Sequence, residues 1–277
     1  MNRVDSVHRL CCYCLIRSAD HRRTDATVFS DITGAFFMRL VTRIAVNTSC
    51  GLALVALAAC GSGTAAGPFG DLSGSEVTTK AITATKKAAS LRLSVDMVTE
   101  DGRIKADFSS STSGECTGTL AQGTEGSVEI IRTGGTVYTK YDEALLRSEG
   151  KGEPAAEVDA TVEMLAGRWM AMKASDPDAK DMTEFCDLKG LLKDVEAKDT
   201  AARKAGQTEV DGKRALRLTE KDGKEKFTIL VATEGEPYIL RITSEGGKEP
   251  MTMNLSDFGK PVVAKKPAAK DIIDLGQ

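Results

Sequence analysis

Glycine-centred turns, set between short runs of alternating apolar and polar residues, constrain this chain more than any other feature. They are Asp101-Gly102, Thr133-Gly134-Gly135, Asp211-Gly212, Asp222-Gly223, Glu234-Gly235-Glu236-Pro237 and Gly246-Gly247. Tight hairpin loops need positive φ at their central residues, which glycine supplies without steric cost. The runs between them have the period of a half-buried strand. Leu91, Leu93, Val95 and Met97 alternate with Arg92, Ser94 and Asp96, and Ile104, Ala106 and Phe108 follow after the first turn. Further strands are expected at Cys116–Gln122, at 127–132 and at Thr136–Tyr141. From 203 to 259 four turn signals divide the chain into five runs, the spacing of an antiparallel meander.

Between these two sets of strands the period changes. Asp142 can cap a short helix, and residues 155–166 place Val158, Val162 and Leu165 on one side. After Gly167-Arg168-Trp169-Met170-Ala171-Met172, the break at Asp176-Pro177-Asp178 precedes one or two helices over 181–198. Ahead of the first strand, Ser73 and Glu76 form a capping-box pattern for a helix running to about residue 89. Residues 262–264 are expected as an added edge strand, stopped by Lys265, Lys266 and Pro267. About 10–11 strands with a leading helix and a helical insert predict an α+β fold, one antiparallel sheet with helices on a single face.

A second feature sets location. The stretch 38–60 has a basic start (Arg39, Arg43), an apolar middle and the ending Leu57-Ala58-Ala59-Cys60-Gly61. This is the order of an export signal, and it is too interrupted for a spanning helix of about 20 apolar residues. The ending resembles the lipobox of bacterial lipoproteins. The resemblance implies cleavage after Ala59 and two acyl chains attached through Cys60, enough for stable membrane binding. Residues 1–37 then read as an upstream extension, disordered if made, with translation starting at Met38. Their Cys11, Cys12 and Cys14, with His8 and His21, lack the paired spacing of zinc sites. Residues 60–74 read as a lipidated flexible tether of roughly 20 Å, and 75–277 as one domain on the extracytoplasmic face of the membrane.

Composition narrows function. Counted from Cys60, Lys plus Arg is 30 and Asp plus Glu is 36, a formal charge of −6. No basic patch points to nucleic acid. Both histidines lie before Cys60, so the exported part has no histidine for a Ser-His-Asp or Cys-His site. Cys116 and Cys186 remain, and in an oxidising exterior an even pair suggests a disulfide; two buried thiols are the alternative. Ser148-Glu149-Gly150-Lys151 matches S-x-x-K by letters, but has no K-T-G or S-D-N partner. Asp176, Asp178 and Asp181 lack the calcium-loop pattern and suit turns and helix caps. No cofactor or metal is expected.

The order of lipobox, helix, strands with Gly134-Gly135-Thr136-Val137-Tyr138, an insert ending Phe185-Cys186-Asp187-Leu188, and a strand region Val231-Ala232-Thr233-Glu234-Gly235-Glu236-Pro237-Tyr238-Ile239-Leu240-Arg241-Ile242 resembles the LppX/LprG branch of actinobacterial lipoproteins, in the LolA-like half-barrel superfamily. The resemblance covers essentially the whole exported chain. It implies a strongly curved sheet with helices closing its concave side, no portable catalytic motif, and for some members a lipid or glycolipid in the cavity between.

The expected function is therefore a non-catalytic, membrane-anchored carrier or binder of a lipidic ligand. The alternative is an envelope interaction or sensor lipoprotein without such a ligand. Candidate cavity residues are Leu93, Val95 and Met97 on the strand that begins near Leu91, with Val162, Leu165, Trp169, Met170, Met172, Leu188, Leu191 and Leu192 from the insert. Flexible methionines suit an adaptable apolar surface. Packing as ordinary core is the competing role for each of them.

Overall fold

A computed structural model describes residues 69–100, 102–193 and 201–273. The extension 1–37, the signal 38–59, Cys60, the tether up to 68 and the end of the helix expected to reach 198 lie outside the described residues.

Helix α1 spans Gly74–Lys86. Its capping box forms as the sequence predicts. The Ser73 hydroxyl accepts from the Glu76 N–H at 3.2 Å, and the Ser73 N–H donates to the Glu76 carboxylate at 2.7 Å. The chain is folded before this helix begins. The Leu72 N–H donates to the Phe69 carbonyl, and both side chains pack on the core.

Five strands follow in a meander: β1 (Ser90–Thr99), β2 (Gly102–Ser111), β3 (Cys116–Gln122), β4 (Gly126–Thr133) and β5 (Thr136–Tyr141). Helices α2 (Glu143–Glu149) and α3 (Ala155–Leu165) start the insert. Strand β6 (Trp169–Lys173) then returns to pair with β5, Thr139 opposite Met170. Helix α4 (Pro177–Met182), a 3₁₀ turn (Glu184–Cys186) and α5 (Leu188–Lys193) complete the insert. A second meander runs through β7 (Arg203–Val210), β8 (Lys213–Asp222), β9 (Glu225–Ala232), β10 (Ile239–Glu245) and β11 (Met251–Ser256).

All eleven strands join one open antiparallel sheet in the order β6-β5-β4-β3-β2-β1-β11-β10-β9-β8-β7. The two meanders meet where β1 pairs with β11, Leu93 opposite Leu255. Eleven strands at about 4.8 Å spacing would form a flat sheet about 48 Å wide. Sheets of this size curl, and this one wraps as a half-barrel around the helices. One buried cluster accordingly joins the inner faces of the strands to Val77, Ala81 and Ile82 of α1, Val158, Val162 and Leu165 of α3, and Leu188 of α5. The fold class expected from sequence is the one observed.

Two local expectations change. Trp169–Lys173, to which the sequence pattern gives no element, is the edge strand β6. Residues 262–264 make no strand. Both sides of β11 are already occupied, by β1 and β10, so no edge is available beside it. The tail instead runs on from Ser90, whose hydroxyl donates to the Lys260 carbonyl at 2.6 Å. It ends in a single parallel bridge from Ile272 to Trp169.

Candidate functional site

The site is a cavity where the middle of the sheet meets α1 and α5. Its floor comes from three adjacent strands: Leu91 and Leu93 of β1, Met253 and Leu255 of β11, Ile239 and Ile242 of β10. Alternation puts each of these on the inner face. A bulge between Ile239 and Arg241 lets β10 present Ile239 and Ile242 to the same side. Leu240 meanwhile turns outward into a small separate cluster with Val210, Ala215, Leu230 and Ala232.

Ile82, Thr85 and Lys86 of α1 form one wall; Phe185 with Leu188, Leu191 and Leu192 forms the other. Among these residues Lys86, Leu191 and Leu192 keep partial exposure. The opening therefore lies between the last turn of α1 and the outer side of α5. Space open to water centres is about 50 Å³, room for about four water-sized or methylene-sized groups.

Most polar groups in the lining are committed to the frame. The Thr85 hydroxyl accepts from the Ile239 N–H at 3.1 Å, tying α1 to β10. The Ser110 hydroxyl donates to the Phe185 carbonyl at 2.9 Å, tying the 3₁₀ turn to β2. Lys86 is the one charged residue in the lining.

The Phe185 wall is held in two further ways. Cys116 of β3 and Cys186 are joined as a disulfide, with Cα atoms 5.3 Å apart and both residues buried. The Phe185 ring also stacks on Phe108 of β2, centroids 5.3 Å apart. Asp187 starts α5 by accepting from the Gly190 N–H at 3.0 Å.

The candidates named from sequence divide. Leu93, Leu188, Leu191 and Leu192 line the cavity. Val95, Met97, Val162, Leu165 and Met170 are buried in the core cluster, and Met172 packs partly buried against it; none of these six lines the cavity. Met170 and Met172 stand on β6 at the edge of the sheet, five strands away from β1, and Val162 and Leu165 stand on α3, so the cavity floor at β1, β11 and β10 does not include them. Trp169 stands at the β6 edge, its ring beneath the Lys140 ammonium at 4.9 Å. Ile82, Lys86, Ile239, Ile242, Met253 and Leu255 were not singled out. Their apolar alternation is visible in sequence, but their convergence depends on β1 pairing with a strand that closes the far end of the chain.

The letter-level motifs acquire ordinary roles. Ser148 lies in α2, while Lys151, beyond its end, pairs with Glu125 at 3.0 Å. Asp176 accepts from the Lys173 N–H. Among the described residues no cluster of His, Cys, Asp or Glu could hold a metal ion, and no helix is long and apolar enough to cross a membrane.

No protein-family model and no curated protein matches the chain. Among solved structures it is similar to the crystal structure of LprF from Mycobacterium bovis. That likeness has 15% identity and a TM-score of 0.48, and covers 71% of this chain and 97% of that one. It is also similar to the Mycobacterium tuberculosis lipoprotein LppX, at 15% identity and a TM-score of 0.42, covering 69% of this chain and 97% of that one. These values assign no ligand.

Proposed function

We propose that the protein is a membrane-anchored, extracytoplasmic lipoprotein that binds or shuttles a lipidic ligand without covalent chemistry. One observation carries this reading: sheet and helices leave an apolar cavity open to the outside between α1 and α5, lined by Leu, Ile, Met and Phe side chains. Desolvating an acyl chain there would supply roughly 0.8 kcal/mol per buried methylene. The sequence supports the location: Cys60 ends a lipobox-like signal, and only eight residues separate it from Phe69 at the start of the described fold. At about 5–6 Å × √n such a linker spans roughly 16 Å, within reach of the bilayer surface.

The test uses the chain carrying Cys60→Ser, so that no attached acyl group competes. Native mass spectrometry after purification and after lipid challenge should show a bound lipid. Leu192→Trp, which fills the opening, should abolish it. A chain that carries no lipid under either condition sinks the reading.

The small volume gives the alternative its one supporting observation, a fold packed around its own side chains and displayed to an envelope protein. That alternative wants an exposed apolar patch of several hundred Å². Among the described residues the exposed large hydrophobics are Val98 and Val263, at 41% and 65%, which lie on separate elements.

A further inference from the structure

We infer that the tail over residues 261–270 is a membrane-contact segment, which seats its side of the domain on an anionic bilayer surface. The inference rests on the membrane anchoring proposed above for its setting, but the contact is separate from the cavity and is tested without the anchor. Three features carry it.

Charge comes first. Between Asp257 and Asp271 the chain has four lysines, Lys260, Lys265, Lys266 and Lys270, and no acid. Lys260 pairs with Asp257 at 2.6 Å. Lys265, Lys266 and Lys270 are exposed, and among the described residues none of them makes an ion pair or a side-chain hydrogen bond. Counted from Cys60 the chain is acidic, with 36 Asp plus Glu against 30 Lys plus Arg, so this run is not the average of its surface. A charged bilayer acts over about a Debye length, about 8 Å at physiological salt. The local run therefore counts for more than the overall charge.

Conformation is the second feature. From Pro261 to Pro267 the tail makes no backbone hydrogen bond among the described residues. It is nonetheless fixed beyond both ends, where the Ser90 hydroxyl donates to the Lys260 carbonyl and Ile272 bridges to Trp169. The tail thus presents its lysines from a backbone that is already placed, and little ordering cost falls on the contact.

An apolar side chain is the third. Val263 is 65% exposed and stands two residues before Lys265. An apolar residue beside lysines suits the boundary of a bilayer, where the valine leaves water and the ammoniums meet lipid phosphates. A soluble acidic polymer would engage the lysines and leave the valine in water, so the bilayer accounts for more of the segment. The tail starts beside Ser90, just after the last turn of α1 that borders the cavity opening. Seating it brings that opening near the membrane, an orientation that a flexible tether alone does not set.

The test is sedimentation of the Cys60→Ser chain with vesicles of phosphatidylglycerol mixed into phosphatidylcholine, and with vesicles of phosphatidylcholine alone. The chain should bind the anionic vesicles, not the neutral ones, and should release them in high salt. Each lysine near an anionic surface is worth about fivefold in partitioning, so Lys265→Gln with Lys266→Gln and Lys270→Gln should weaken binding about 100-fold. Urea unfolding of that variant should match the parent, because these three side chains pair with nothing in the fold. Val263→Ser should weaken binding about threefold, since part of a valine side chain no longer leaves water. The same charge change on the exposed β8–β9 hairpin, Lys221→Gln with Lys224→Gln and Lys226→Gln, should leave binding unchanged. Equal binding to both kinds of vesicle, binding to neither, or an equal loss in the hairpin variant overturns the inference. So does a preference of the parent for soluble polyglutamate over anionic vesicles, which would make an acidic polymer the partner. The cavity is tested by native mass spectrometry instead, so membrane contact and lipid binding fail separately.

Discussion

At the scale of residues, Gly118 shows how one missing side chain shapes the site. It lies on the inner face of β3, opposite Phe108 of β2. A Cβ placed there would sit 2.3 Å from the Phe108 ring and 2.4 Å from the Asp107 carbonyl. The ring is fully buried and stacks on Phe185, a wall of the cavity. Gly118→Ala must push that ring, so it should cost about 1–3 kcal/mol, the usual range for overpacking. Urea unfolding measures the loss, and lipid binding by native mass spectrometry should weaken in parallel because Phe185 moves with its partner. A stable variant with normal binding would show that the ring has slack.

Glu149 makes a different prediction at the same scale. It ends α2, half-buried, where burial and then the nearby Glu125 carboxylate hold its carboxyl above the ordinary value of 4.5. The folded chain therefore binds this proton more tightly than the unfolded chain does. That contribution is present at low pH and is lost as pH rises from the ordinary value through the raised one. Asp96 and Glu125 act oppositely: their hydrogen bonds with Arg103 and Lys151 lower them, so their contribution is lost as pH falls. Glu149→Gln isolates the first effect. Its unfolding free energy should gain on wild type as pH climbs from about 4.5 towards neutrality. An unchanged difference across that range would contradict the assignment.

At the scale of elements, the disulfide decides whether the insert stays on the sheet. Cys116 and Cys186 are 70 residues apart in sequence, with β4 to β6 and three helices between them. Closing a loop of that length is worth about 4 kcal/mol in the chain-entropy model. The bond also anchors the 3₁₀ turn that leads into α5. Cys116→Ala with Cys186→Ala should lose roughly that amount in urea unfolding and should raise hydrogen exchange through α5 before it does so in β1 and β11. Uniform exchange across insert and sheet would mean that the link stabilises only globally.

The pairing was legible from cysteine count and compartment, and the hairpins from their glycine turns, because both signals are local or nearly so. Strand β6 was not. Its five residues, Trp169-Met170-Ala171-Met172-Lys173, are too short for a period to declare itself and follow a helix without a paired turn. The cavity was half legible for a related reason. Leu93 and Leu188 could be named as inward-facing, but Ile242 and Met253 become their neighbours only through the β1–β11 pairing. Nothing in the local pattern of either strand specifies a partner so far along the chain.

At the scale of the whole molecule, an open sheet must manage two edges. The β7 edge is blunted by its own sequence. Its first five residues are exposed, and a register shift between Lys204 and Gln207 carries Gly206 at φ +90°. The β6 edge is short and apolar, with Trp169, Met170 and Met172, and it is protected by another part of the chain. The tail leaves β11 in the centre of the sheet, is fixed beside Ser90, and reaches the far edge, where the Ile273 N–H donates to the Trp169 carbonyl at 2.8 Å. Pro261 and Pro267 along the way lack the N–H that a ladder would need. The expected edge strand at 262–264 is thus replaced by a strap whose end caps a different edge. Deleting residues 269–277 should expose the β6 backbone to pairing with a second copy. Light scattering after size exclusion should then show association that grows with concentration beyond that of the parent chain. Ile273→Pro removes the donating N–H together with a side chain that packs on the core, and should move association in the same direction by a smaller amount. If both variants match the parent at every concentration, the strap is packing rather than edge protection, and the β6 edge needs no cover.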